Sequence, residues 1–197
     1  MTTRTVIGLW AALIVALSVA CSASREPRLY TLRAIIAPTD RPLAVSVAVG
    51  PILIPAIVDS SQIVVNINAT EVRANDFDRW ASPLQANIGE IIATDLASRL
   101  GTADVMLARN VVGPTPDFRA SVEVQRFEIG PGTTALLDAL WVVRRSNDGQ
   151  IRRGRTTVQD DAVKGGFDAA ATAQSRAFAR LSDDVAGAVR SLATAPR

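Results

Sequence analysis

The spacing of the apolar residues changes three times along this chain, and the order of those changes limits the folds that it can adopt. Two-residue alternation, typical of half-buried strands, dominates up to about residue 73, and helical spacing follows over Leu84 to Leu100. Alternation returns over 118–159, and helical spacing closes the chain over 168–192. The order strands, helix, strands, helix predicts an α+β fold with a mixed, mostly antiparallel sheet and two long helices packed on one face.

The first half is predicted to contain four short strands followed by a helix. The strands are expected over 29–32, 44–49, 62–65 and 70–73. For the helix, Ser82 is expected as the N-cap, Pro83 as the first helical residue and Gln85 as the third, which together would form a capping box. Gly101 supplies the C-terminal stop.

The second half is predicted to contain four strands and the last helix. The strands are expected over 104–108, 118–129, 134–144 and 150–159, with a turn at Asp148-Gly149 between the last two. Within 118–129 the apolar residues change phase near Gln125-Arg126, which predicts a β-bulge. The segment 134–144 is apolar on both alternating faces, so we expect both of its faces to be covered.

The N-terminus indicates an exported protein. An unbroken apolar stretch of 15 residues, Val6 to Ala20, follows the basic Arg4. As a helix it would be about 22 Å long, shorter than the ~30 Å hydrocarbon core of a bilayer, and it has the layout of a secretory signal peptide. The only cysteine, Cys21, comes next, and the residues before it, Leu17 to Ala20, resemble the lipobox at which bacterial lipoproteins are cleaved and acylated.

We therefore predict a lipoprotein signal peptide over 1–20, acylation of Cys21, a tether over 21–28, a domain over 29–193 and a tail over 194–197. Two alternatives remain open. Cys21 could follow an ordinary signal-peptidase site, or the apolar stretch could stay in place as an uncleaved membrane anchor. All three interpretations export the rest of the chain.

Composition excludes several kinds of chemistry. With no histidine and one cysteine, the chain can form neither a Ser-His-Asp triad nor a Cys-His dyad, and it has no thiolate cluster for a metal. A formal charge of +2 and the absence of an aromatic stacking platform do not indicate nucleic-acid binding. We accordingly predict no catalytic, cofactor or metal site.

One segment before the first helix is the candidate functional site. It consists of Asp76, Phe77, Asp78, Arg79 and Trp80. It could be a structural connector whose aromatic residues staple the helix entrance, an edge that contacts a partner protein, or a pair of catalytic carboxylates. The last interpretation is the weakest, because neither a nucleophile nor a metal-ligand set lies nearby in the sequence.

A second charged region surrounds the Asp148-Gly149 turn. Its basic residues are Arg144, Arg145, Arg152, Arg153 and Arg155. They could form a solvated hairpin, or they could contact anionic headgroups or an acidic partner.

Three segments carry a resemblance to a known family. They are Leu29-Tyr30-Thr31-Leu32, the stretch from Gly50 to Pro55, and above all the run from Glu71 to Leu84. Together they resemble the ABC-type transport auxiliary lipoproteins, which include the outer-membrane lipoprotein of the paraquat-inducible systems. The resemblance covers roughly Leu29 to Leu192.

This resemblance implies a non-catalytic, periplasm-facing lipoprotein that works with an MCE-domain protein, a permease and an ATPase to move lipids between the two membranes. Ser22 after the cysteine favours the inner leaflet of the outer membrane, and a homo-oligomer is compatible with such a family. The alternative is a stand-alone lipid- or ligand-binding lipoprotein with an apolar cavity between sheet and helices.

Overall fold

The computed structural model describes residues 25–110, 114–130, 134–160 and 165–196. The predicted signal peptide and Cys21 lie outside these residues. The elements in chain order are β1 (Arg28–Tyr30), β2 (Val47–Leu53), β3 (Gln62–Asn66), β4 (Val72–Trp80), α1 (Leu84–Leu100), β5 (Val105–Leu107), a 3₁₀ turn (Ala108–Asn110), β6 (Phe118–Ile129), β7 (Ala135–Arg145), β8 (Ile151–Asp160) and α2 (Gly166–Thr194). The predicted α+β class with two long helices is confirmed.

The strands form two mixed sheets. The larger has the order β5-β2-β6-β7-β8, and the smaller has the order β1-β4-β3. In the larger sheet β2 runs parallel to both of its neighbours, whereas β7 runs antiparallel to both of its own. Parallel pairing is therefore more prominent than the sequence suggested, because β2 is followed by a separate small sheet and a helix instead of a hairpin.

Both helices cover the inner face of the larger sheet. Helix α1 packs on β2 and β5, and α2 packs on β7 and β8 and along α1. Ile88, Ile92 and Leu96 of α1 are fully buried, as are Phe178 and Leu181 of α2. Each such side chain contributes about 1.5 to 3 kcal/mol through burial, so the two apolar helix faces and the sheet form one core.

The predicted bulge in β6 is confirmed. The pairing of β6 with β7 shifts register between Val124 and Arg126. Because one extra residue is inserted there, Phe127 and Ile129 face the same buried side as Val122 and Val124.

The start of α1 differs from the prediction. Pro83 occupies the N-cap position, and no side chain caps the helix. The capping box is wrong because the Gln85 side chain is used elsewhere: its Nε2 donates to the carbonyl oxygen of Ile52 in β2, at 2.6 Å. Gly101 ends the helix in the left-handed conformation (φ 67°), as predicted.

Strand β7 is covered on one face only. Leu137, Ala139 and Val143 face the helices and are fully buried, whereas Leu140 and Val142 face outward and are 40% and 37% exposed. The expectation that both faces are covered is therefore wrong. No described element packs on the outer face of the larger sheet at these residues.

An extended segment over 31–41, here called the strap, crosses the seam between the two helices. Polar helix side chains bind its backbone: the Asn87 amide binds both the N–H and the carbonyl of Leu32, and Asp95 accepts from the N–H of Ile35 at 2.7 Å. Arg99, in turn, donates to the carbonyl of Ile35. These bonds explain why α1 buries polar residues, since backbone groups placed over a core need partners.

Candidate partner-binding surface on a bulged strand

The predicted site lies on β4 and is a strand, not a connector. Gln62 of β3 is paired with Arg79, but Val64 is paired with Ala74, so β4 carries several extra residues between these two points. The side-chain oxygen of Asn75 accepts hydrogen bonds from the N–H groups of Phe77 (3.1 Å) and Asp78 (3.2 Å). This local turn replaces ladder bonds and pushes the middle of the strand outward.

Asp78 faces inward and joins β1 to β4. The residue is 2% exposed; its carboxylate accepts a hydrogen bond from the Tyr30 hydroxyl at 2.9 Å and forms an ion pair with Arg28 at 2.8 Å. The hydrogen bond to Asp78 raises the pKa of the Arg28 guanidinium. Burial, followed by the bond to Asp78, raises the pKa of Tyr30. Asp78 therefore has a structural role.

Trp80 also faces inward. It is 5% exposed, and its ring meets Phe127 edge-on with ring centroids 6.0 Å apart. Phe127 in turn stacks on Phe178 of α2. Trp80 thus connects the small sheet to the core, and it does not form with Phe77 the helix staple considered above, because the two side chains point in opposite directions.

The remaining three residues face solvent, and we call them the bulge surface: Asp76, Phe77 and Arg79. Phe77 is 41% exposed, and the guanidinium of Arg25 lies over its ring at 5.6 Å from the centroid. Gln62 donates to the Asp76 carboxylate at 3.1 Å, and Arg79 donates to the Asp76 carbonyl at 3.2 Å. An exposed aromatic ring between fixed charges of both signs is suited to binding another protein.

Asp76 and Asp78 differ in burial and in partners. Asp76 is exposed and is bound by Gln62, whereas Asp78 is buried and is bound by Tyr30 and Arg28, so the two carboxylates share no side-chain partner among the described residues. Among the residues that the structure describes, no group of three or more Asp, Glu, His or Cys residues could hold a metal ion.

The sequence did not point to two further residues of this region, Arg28 and Tyr30. They lie 50 and 48 positions before Asp78, so no local pattern could indicate the contact. A usable signal was present in β4 itself: Asp78 and Trp80 alternate with Phe77 and Arg79, which is the period of a strand with one buried face.

The cavities found are surface grooves. One of about 530 Å³ opens where the β7–β8 turn meets the end of α2, between Val45, Phe118 and Ala193, and another of about 530 Å³ lies between β8 and α2. Smaller ones lie beside β2 and beside the strap. Phe178, Leu181 and Ile92 fill the space between sheet and helices. No helix in the described ranges combines the length and apolarity needed to cross a membrane.

Comparison with known proteins points to one family. A family profile described as "ABC-type transport auxiliary lipoprotein component" matches residues 30–186. No curated protein matches the chain.

Two crystal structures share the fold. An uncharacterised protein aligns with a TM-score of 0.68 and 18% identity, covering 83% of this chain and 99% of its own. Protein XCC0632 from Xanthomonas campestris, a DUF330 protein, aligns with a TM-score of 0.67 and 17% identity, covering 81% of this chain and 93% of its own. Identities this low are evidence for the fold alone.

Proposed function

Because the chain belongs to the family of ABC-type transport auxiliary lipoprotein components, we propose that it is the non-catalytic lipoprotein of an MCE-type ABC system that moves lipids between the inner and outer membranes. Family membership over nearly the whole domain is the observation that carries this proposal. The alternative, a stand-alone lipid-binding protein, needs an apolar cavity between sheet and helices, and that space is filled by core side chains.

The proposal includes an anchor at Cys21. Acylation there would place more than one lipid chain on the mature N-terminus, which gives stable membrane attachment because each buried CH₂ contributes ~0.8 kcal/mol. We place the anchor in the inner leaflet of the outer membrane, with the domain facing the periplasm.

The anchor is tested by metabolic labelling. Cells that express the chain or its Cys21→Ser variant are grown with a radioactive fatty acid. Only the original chain should become labelled, and equal labelling of the variant would refute the anchor.

The bulge surface is the proposed contact for the MCE-domain partner. Its three residues are exposed on an ordered strand, and its turn is held by Asn75, so a partner would meet a preformed surface. Any homo-oligomer would have to leave this surface accessible.

The docking role is tested by capturing the full, lipidated chain from cells that co-express an MCE-domain protein of the same organism. The partner should be recovered with the original chain and lost with Phe77→Ala. Val72→Ala is the matched control, since Val72 lies on the same strand, outside the bulge, with the same 41% exposure. Failure to recover any MCE-domain protein with the original chain would refute the function. Equal recovery with Phe77→Ala would refute the role of the bulge.

A further inference from the structure

Three arginines lie together on the outer face of the larger sheet. Arg119 of β6 is directly paired with Arg144 of β7, and Arg153 of β8 is paired with Val142, one step diagonal from Arg144. All three side chains are exposed. Within the described part of the chain none of them has an ion-pair or hydrogen-bond partner. Together with Val142 and Ile151 they form what we call the arginine face.

Nearby carboxylates form no ion pair with these arginines within the described ranges. Asp117 accepts from the N–H and hydroxyl of Ser46, at 2.8 and 2.9 Å, and Asp148 is bound by the buried side chain of Arg145. Glu123, paired with Leu140 on the same face, accepts from the Gln125 amide at 2.6 Å. Arg155, on the same strand as Arg153, shows the contrasting case, because it is paired with Asp138.

The arrangement is unfavourable for the isolated domain. Like charges directly opposite each other on neighbouring strands lower stability, and Arg119 and Arg144 form such a pair. Such a loss of folding stability is expected at a surface whose residues serve binding to another molecule.

Aliphatic side chains separate the arginines. Val142 is 37% exposed and Ile151, which is paired with Arg144, is 44% exposed. Leu140 continues the apolar strip on β7. Exposed aliphatic residues among arginines on a sheet face resemble the composition of a protein interface, in which Arg is enriched and lysine is depleted.

The position of the arginine face favours a protein over the anchoring membrane. The two ends of α2 mark the two ends of the domain. At its first turn, Phe167 contacts Tyr30, near the start of the domain, with ring centroids 6.0 Å apart. At its last turn, the carbonyl of Leu192 accepts a hydrogen bond from Arg145, the neighbour of Arg144. The helix between these points is about 38 Å long. Cys21 can lie at most about 14 Å from Arg25, so the anchor belongs to the opposite end of the domain.

We propose that the arginine face docks on a carboxylate-rich surface of the protein partner in the transport system. This inference rests on the proposed function. Guanidinium groups bind carboxylates with two parallel hydrogen bonds, and the aliphatic strip between them would be covered in the same step. The contact is charge-complementary, so it weakens as salt screens it.

The test uses the full, lipidated chain and its co-expressed MCE-domain partner. Changing Arg119, Arg144 and Arg153 together to glutamine is expected to weaken the Kd by about tenfold and to flatten its salt dependence. The control changes Arg33, Arg41 and Arg180 to glutamine; these residues are also exposed, lie elsewhere and remove the same net charge. The control is expected to bind like the original chain.

Each outcome has a distinct meaning. Equal binding by the arginine-face variant, or an equal loss in the control, would overturn the inference and leave the proposed function intact. Absence of binding by the original chain would overturn both. The arginine-face variant could instead lose binding to phosphatidylglycerol vesicles while it binds the partner as the original chain does. That result would assign the face to a membrane and overturn the inference as well. Misfolding is checked by the melting temperature, which should stay equal or rise because the Arg119–Arg144 repulsion is removed.

Discussion

Replacement of Asp78 by alanine separates the structural part of the candidate site from its exposed part. The Asp78 carboxylate is buried and accepts a hydrogen bond from Tyr30 at 2.9 Å. A hydrogen bond to a charged acceptor contributes about 1.5 to 3 kcal/mol. The Arg28 side chain is largely exposed and should add little to this. We therefore expect Asp78→Ala to lower the free energy of unfolding by about 2 to 3 kcal/mol.

The assay is urea unfolding of the purified protein, followed by circular dichroism. Asp76→Ala is the control on the same strand, and because Asp76 is exposed its effect should stay within about 0.5 kcal/mol. Tyr30→Phe removes only the hydroxyl. A double-mutant cycle between Asp78→Ala and Tyr30→Phe should then give a coupling energy of about 1 to 2 kcal/mol.

A result for Asp78→Ala within about 0.5 kcal/mol of the original protein would refute this reasoning. It would mean that β1 is held to β4 by its backbone pairing alone. If the Asp78→Ala protein is stable but no longer binds the partner, Asp78 contributes to partner binding and its role is not structural alone.

Two further predictions concern the β7–β8 hairpin. A Cβ at position 154 would lie 2.2 Å from Cζ2 of Trp141, so Gly154→Ala should lower the free energy of unfolding by about 1 to 3 kcal/mol in thermal unfolding. The control, Gly187→Ala, lies in open space on α2 and should raise it by up to about 1 kcal/mol. Equal effects of the two substitutions would contradict the packing of Gly154 against Trp141. The hydrogen bond from Arg145 lowers the pKa of Asp148 to about 2. The ionised Asp148 carboxylate therefore stabilises the fold fully above its ordinary pKa of 3.8, and this stabilisation is lost as the pH falls toward 2. Asp148→Asn should therefore be less stable than the original protein at pH 7 and approach it near pH 2 in urea titrations, and a pH-independent difference would contradict this.

Both helices and the β6 bulge could be predicted because their signals are local. Helix α1 has apolar residues at helical spacing and a glycine that ends it, and the phase change in β6 falls within a few residues of the observed register shift. Such patterns are set by the spacing and backbone preferences of residues close together in the sequence, so they can be read without knowledge of tertiary contacts.

The candidate site was predicted less well because its bonds are long-range. The Gln85 side chain, which a local rule assigns to a capping box, binds Ile52 at a sequence separation of 33 residues. In β4 the turn at Asn75 interrupts the alternation that would identify a strand, and the partners of Asp78 come from the adjacent strand β1, which lies 48 to 50 positions earlier in the chain. Of the five predicted residues, Asp76, Phe77 and Arg79 stay available for binding, and the other two belong to the core.

The two proposed surfaces lie at opposite ends of the domain. The bulge surface is next to Arg25 and hence to the tether, while the arginine face is separated from the tether by about the length of α2. That length, about 38 Å, is several times the ~8 Å Debye length at physiological salt, so charges at one end do not influence those at the other. The unpaired arginines therefore need a local explanation, and a partner held against that end provides one. With the proposed anchor at Cys21, the bulge surface would meet the partner near the membrane, and the arginine face would meet it at the far end of the domain.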